Sequence, residues 1–142
     1  MKRKLFWIAV SMFMIILPTL TACDSAPPAP DDPLNGTHWN LIFYRKTSVI
    51  EGTNVTANFE NGDINGAAGC NSYFGGYQID GENISFSQIG MTEMYCSDPE
   101  GVMEQEGFYL DALAIAQRYE IADGHLTVFL RGHETLTFEP TN

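Results

Sequence analysis

Residues 66–77 read Gly-Ala-Ala-Gly-Cys-Asn-Ser-Tyr-Phe-Gly-Gly-Tyr. Four glycines and three aromatic residues surround one cysteine and one asparagine. The stretch admits three readings: a nucleophile in a tight turn, a metal ligand, or one half of a structural clamp. Its second half already has a rhythm, because Tyr73, Gly75, Tyr77 and Ile79 recur at every second position. Period two with aromatic and β-branched residues is the signature of a strand, and it places Tyr73 and Tyr77 on one face. Glycines 66 and 69 suit tight backbone geometry ahead of that strand. Gly75 and Gly76 let it bend or approach a neighbour.

The same alternation runs outward in both directions. Trp39, Leu41 and Phe43 alternate, as do Val55, Ala57 and Phe59, and then Ile84 and Phe86. Tyr119 and Ile121, Leu126, Val128 and Leu130, and finally Leu136 and Phe138 complete the set. Asn61-Gly62, Asp80-Gly81, Asp123-Gly124 and Arg131-Gly132 fall between these runs, where hairpin turns need positive φ. One segment differs. Ser97-Asp98-Pro99-Glu100 offers a helix start, with Ser97 as cap and Glu100 three residues on, or Asp98 as cap before Pro99. After it Val102, Met103, Tyr109, Leu110, Leu113 and Ala114 recur at helical spacing, with Glu104, Gln105 and Asp111 elsewhere on the cylinder. Gly107 weakens this helix by about 1 kcal/mol relative to alanine, which predicts a close packing contact there. The expected fold class is therefore α+β: a single compact domain, a mostly antiparallel curved sheet of about seven strands with one packed helix.

Length agrees, since 142 residues suffice for one domain with a core. Hydrophobic content of 44% and aromatic content of 12% fit a globular body. The formal net charge is −11. Lys2, Arg3 and Lys4 stand at the extreme N-terminus, so from Cys23 onward four basic residues face 18 acidic ones. That surface repels phosphate backbones and argues against nucleic acid as a partner.

Residues 1–22 have the layout of an export signal: a basic start, an apolar run from Leu5 to Leu17, and small residues ahead of Cys23. The run is short of the roughly 20 apolar residues of a bilayer span. Leu20-Thr21-Ala22-Cys23 resembles the bacterial lipobox. That resemblance implies lipidation of Cys23, cleavage after Ala22 and anchoring by two or three acyl chains. Residues 23–33, with Pro27, Pro28, Pro30 and Pro33 among aspartates, read as an extended acidic linker. The folded domain is expected at 34–142, as a monomer on the extracytoplasmic side of a cell-envelope membrane. With Cys23 lipidated, Cys70 and Cys96 remain as a pair in a disulfide-permissive compartment, and an even remainder argues for a bridge.

Other chemistry depends on the ligands the chain supplies. Cys96 precedes a helix start, where a thiol becomes reactive. However, His38, His125 and His133 stand in no catalytic spacing. Asn61-Gly62-Asp63-Ile64-Asn65-Gly66 mimics the start of a calcium loop. It lacks the acidic first residue, and Ser72 replaces the bidentate glutamate. It reads as a hairpin connection. Two cysteines without a histidine cluster do not make a zinc site, and no GxSxG, HExxH or phosphate-loop pattern occurs. The expectation is no metal, no cofactor and no catalytic residue. Asn35, Asn54 and Asn83 begin chance glycosylation triplets. Tyr73, Phe74, Tyr77, Phe86 and Tyr95 could line a ligand groove, although aromatics on alternating strands more often form core.

Three separated stretches resemble a known family, the META domain of HslJ-like bacterial lipoproteins. Leu34-Asn35-Gly36-Thr37-His38-Trp39-Asn40-Leu41 is similar to its opening L-x-G-T-x-W-x-L. Gly69-Cys70-Asn71, continuing through Gly75 to Tyr77, resembles its core motif. Thr92-Glu93-Met94-Tyr95-Cys96 resembles its T-x-M-x-C. Glu93 and Tyr95 depart from the family pattern, which commonly has a basic residue and an alanine there. The resemblance implies a compact antiparallel α+β domain found in heat-shock, stress-resistance or motility contexts, with no catalytic residues to carry over. The functional expectation is a non-catalytic, membrane-anchored envelope lipoprotein with a binding or support role in stress tolerance, engaging an envelope protein. The alternatives are an acidic module that sequesters a cationic protein or peptide, and a carrier of a small hydrophobic ligand.

Overall fold

The computed structural model describes residues 32–141. The expected signal segment and Cys23 lie outside the described residues. Among the described residues the chain forms nine strands and one helix. In order they are β1 (Thr37–Tyr44), β2 (Thr47–Ser48), β3 (Thr56–Glu60), β4 (Asp63–Ala67), β5 (Ser72–Asp80), β6 (Asn83–Met91), α1 (Val102–Ala114), β7 (Ala116–Ala122), β8 (His125–Leu130) and β9 (Thr135–Pro140). None of their helices is long and apolar enough to cross a membrane.

The expected single sheet-rich domain with one helix is present, but the sheet is more than a curved sheet of about seven strands. Every neighbouring pair is antiparallel, and β1 pairs with both β3 and β9, closing eight strands into a barrel. The two-residue β2 adds to β1 outside the ring. Closure needs strong local bending, which comes from three irregularities. Extra residues interrupt the register between Leu41 and Phe43, between Phe74 and Gly76, and between Ala116 and Arg118. At the second of these, Gln88 on β6 takes a φ of 55°, and a Cβ on Gly75 would lie 2.5 Å from Ile89 Cδ1. The glycine is thus where β6 presses closest to β5. Gly66 is equally constrained, since a Cβ there would collide with the Thr56 carbonyl on β3.

Alternation decides the interior. Trp39, Leu41, Ala57, Phe59, Ile64, Tyr73, Tyr77, Ile84, Leu126, Val128, Leu136 and Phe138 are all buried. Phe59 meets Tyr77 edge-on at 4.9 Å between centroids. Tyr109 of α1 is fully buried and touches Tyr73 on β5 (5.5 Å) and Phe138 on β9 (6.4 Å). One helical side chain therefore bridges opposite walls, and α1 stoppers that mouth of the barrel. The tyrosine hydroxyls stay satisfied inside: Tyr73 donates to the Thr56 carbonyl at 2.9 Å, and its oxygen lies 2.7 Å from Tyr109 Oη. Because Tyr73 spends its proton on that carbonyl, Tyr109 is the donor of the pair.

Two local expectations fail at the helix. It begins after Gly101, whose φ of 85° and lack of a side-chain cap replace the anticipated Ser97 or Asp98 cap. Gly107 has nothing within 4 Å of a Cβ position, so no close contact explains it. At the other mouth, Asp32, expected to belong to the linker, makes contacts with the barrel. Asp32 accepts from the Leu34 amide (2.9 Å) and from the Tyr77 hydroxyl (2.6 Å).

Candidate functional site

The Gly69–Asn71 stretch lies in the loop between β4 and β5, facing the first turns of α1. Gly69 has a φ of 120°, a conformation side chains rarely tolerate, and a Cβ would lie 3.2 Å from Val102. The turn aims two successive amides, Cys70 N and Asn71 N, at one point. Concavities of this kind attract anions. Here the anion comes from the fold itself: Glu106 Oε2 accepts both amides, at 3.1 and 2.6 Å. Its Oε1 accepts from Asn71 Nδ2 at 2.7 Å. Glu106 is only 2% exposed, and three N–H donors are what make its burial tolerable.

Asn71, itself 1% exposed, passes the grip to the segment after β6. Its Oδ1 accepts from Met94 N (2.7 Å) and from Thr92 Oγ1 (2.8 Å), while Nδ2 also donates to the Met94 carbonyl (3.0 Å). One carboxamide thus imitates a neighbouring strand for a backbone that has no ladder partner. Thr92 Oγ1 accepts in turn from Ser72 N at 3.2 Å. Farther on, Cys96 is bonded to Cys70 with α-carbons 5.9 Å apart, and its amide donates to Met103 Sδ at 3.5 Å. The Gly69–Asn71 stretch is therefore one half of a structural clamp. Cys96 is no free nucleophile, because its sulfur is already in the bridge.

The clamp holds an exposed hook. Thr92–Cys96 is fixed at its start, middle and end, yet Met94 is 57% and Tyr95 83% exposed. Met91 is also exposed at the end of β6, and Phe74 stands outward on β5, with its ring over Gly90. Of the aromatics considered for a groove, Tyr73 and Tyr77 are core, Phe86 packs against the core, and only Phe74 and Tyr95 face solvent. The barrel interior that a hydrophobic-ligand carrier would use is occupied by side chains.

Gln105 and Glu106 are the residues that sequence periodicity missed. Gln105 is buried, with Oε1 accepting from Ile50 N (2.7 Å) and Nε2 donating to Thr53 Oγ1 (2.9 Å), so it pins the loop before β3. The buried stripe is Val102, Gln105, Glu106, Tyr109, Ala112 and Leu113. Those positions follow the i, i+3, i+4, i+7 spacing of a core face. Two polar residues inside such a stripe were the available signal.

The remaining candidates lie apart. His38 meets Asn58 on the outer wall (3.0 Å), and His125 meets the Asp123 carbonyl in its own turn (3.0 Å). His133 occupies the β8–β9 turn. Asn61 and Gly62 make a hairpin turn, and Asp63 to Gly66 belong to β4. Among the described residues no group of three or more His, Cys, Asp or Glu could hold a metal ion. No buried side-chain nitrogen or oxygen among them lacks a partner.

Solved structures share this architecture. An NMR structure of a protein from Burkholderia xenovorans superimposes with a TM-score of 0.65 at 24% identity, covering 89% of this chain and 99% of that one. A second NMR structure gives 0.61 at 20% identity, covering 75% and 90%. The crystal structure of a duf4847 family protein from Bacteroides vulgatus gives 0.53 at 14% identity, covering 75% and 94%. At these identities the likeness concerns fold alone. No curated protein matches the sequence. The META domain model matches residues 32–142, which includes Asp32 and both halves of the clamp, and the chain belongs to the META domain family.

Proposed function

We propose that this protein is a lipid-anchored, non-catalytic META-domain lipoprotein of the bacterial cell envelope that binds an envelope protein through the Met94–Tyr95 hook. The observation that carries the reading is a backbone immobilised from within while its two largest side chains face solvent. An exposed tyrosine on a pre-ordered segment loses little entropy on binding, and such residues dominate the energetics of interfaces. The lipobox ending at Cys23 supports the anchor. Chain direction supports the arrangement. Asp32 meets β5 at Tyr77, whereas the clamp grips the start of that strand at Asn71, about 20 Å away at the usual rise per residue. A tether entering at Asp32 therefore leaves the hook at the far mouth. A role in stress tolerance would follow from the partner engaged.

The test is photo-cross-linking in cells, with the full-length protein carrying a photoreactive residue at 95 and, for comparison, at exposed Gln78. A discrete adduct from 95 that disappears in Cys23→Ala is expected. Identical adducts from both positions, or none from 95, would refute the hook as the contact. The acidic-sequestration alternative predicts that binding is salt-sensitive and indifferent to Met94→Ala with Tyr95→Ala.

A further inference from the structure

The charge total conceals a segregation. Residues 32–141 contain sixteen acidic and only four basic side chains, Arg45, Lys46, Arg118 and Arg131. Three of them, Arg45, Lys46 and Arg118, line adjoining clefts on one face of the barrel. Arg45 and Lys46 make the β1–β2 turn, Arg131 stands in the β8–β9 turn, and Arg118 lies on β7 beside β8. Two adjoining clefts, of about 640 and 230 Å³, share His133, Glu134 and Thr135. The larger extends to Arg118 and Phe129, the smaller to Arg45 and Lys46.

Two of these cations are held on aromatic platforms. The Arg45 guanidinium carbon sits 4.0 Å from the Phe108 ring centre, and that of Arg118 sits 3.9 Å from the Phe129 ring centre. Stacking fixes the guanidinium planes and leaves their N–H edges for a ligand. Their carboxylates do not use those edges up. Glu134 takes only the Arg45 Nε (2.9 Å), while Glu82 and Glu120 stand 3.8 Å from Arg118 Nη1, beyond hydrogen-bond reach. Lys46 and Arg131 have no ion pair among the described residues.

The backbone carries a second mark. Arg45 (φ 47°), Lys46 (φ 63°) and His133 (φ 68°) are left-handed. A two-residue hairpin of this twist normally takes Asn-Gly. An Arg-Lys pair there is strained, and strain of this kind gathers where side-chain presentation matters.

We propose that this face binds a small, soluble, phosphate-bearing ligand. Guanidinium forks and an ammonium suit the several oxygens of a phosphate. The larger cleft has the volume of an ordinary small-molecule site. The acidic remainder of the domain repels a polyanion or an anionic bilayer at long range. A single phosphate is recognised inside about one Debye length, roughly 8 Å, where local cations dominate.

The test uses the full-length chain in nonionic detergent, followed by NMR of the arginine side chains and the β1–β2 turn amides. Inorganic phosphate and glycerol 3-phosphate are titrated against sodium chloride of equal ionic strength, and separately against micelles doped with phosphatidylglycerol. Saturable shifts at Arg118 and Lys46 with the soluble phosphates are expected, weakened at least tenfold in R118Q and in K46Q. Lys46 is exposed and the Arg118 side chain is 41% exposed, so neither substitution opens the core. Shifts reproduced by chloride, unchanged in both variants, or seen only with phosphatidylglycerol micelles would overturn the proposal.

Discussion

Glu106→Gln changes one atom in the clamp and isolates its logic. The carboxylate accepts three N–H donors, two from backbone and one from Asn71. Glutamine has one acceptor and one donor group. Keeping its oxygen on the Cys70 and Asn71 amides sets its NH2 against the Asn71 NH2. Turning Asn71 over to accept that NH2 would point its own NH2 at Met94 N and its oxygen at the Met94 carbonyl, both repulsive. Either way at least one buried polar group loses its partner, at about 1–3 kcal/mol. With about 2 kcal/mol lost, Tm falls by roughly 9 °C for a domain of this size. Guanidinium and thermal melts of the oxidised wild type and variant, with free thiol assayed to confirm the bridge, measure this. A loss below about 0.5 kcal/mol would show that the network is not directional, and that the exposed hook is not held by it.

Three further outcomes follow from other parts of the molecule. Gly107→Ala should stabilise by about 1 kcal/mol, since the helical site is open and the unfolded chain loses freedom; a denaturation midpoint that falls instead would reveal a contact the geometry lacks. Reducing Cys70–Cys96 should cost about 3.5 kcal/mol from its 26-residue separation and raise amide exchange in Thr92–Cys96 above that in β8; uniform exchange would detach the bridge from the hook. Burial, then the neighbouring phenol of Tyr109, pushes Tyr73 well above its ordinary value, and burial pushes Tyr109 up. The folded state therefore keeps protons that the unfolded state releases above about pH 10. Stability should be intact below that pH and fall as pH rises beyond it. Phenolate absorbance from Tyr73 and Tyr109 should appear only with unfolding, and their ionisation in a still-folded chain would contradict the buried pair.

Local geometry was readable from sequence where it had a local cause. Alternation at Tyr73–Ile79 and Leu126–Leu130 marked strands because one face must be buried, and Asn61-Gly62 marked a turn because positive φ is needed there. The parity of the cysteines pointed to the bridge. What escaped was decided by distant partners. Strand β4 holds one core residue, Ile64, among Asp63, Asn65, Gly66 and Ala67, and it is a strand only because β3 and β5 flank it. The Arg45-Lys46 turn uses residues that predict no turn. Gln105 and Glu106 look like solvent-facing helix residues until two loops present their amides to them. Closure of the barrel is written in no single stretch, because it joins β1 to β9.

That seam also orders events in time. Strand β1 finds one of its two neighbours in the ring only after β9 (Thr135–Pro140) is available, nearly a hundred residues later, and Thr141 N then donates to His38 O at 2.9 Å. Until that late arrival, β1 offers an unsatisfied edge on which another chain could pair. Assembly is therefore gated by the last strand, and a chain cut before Thr135 would be an aggregation seed rather than a smaller version of the domain. The two ends of the barrel chain finish side by side, so joining them and opening a surface turn elsewhere would relocate the seam and move that vulnerable interval to a different pair of strands.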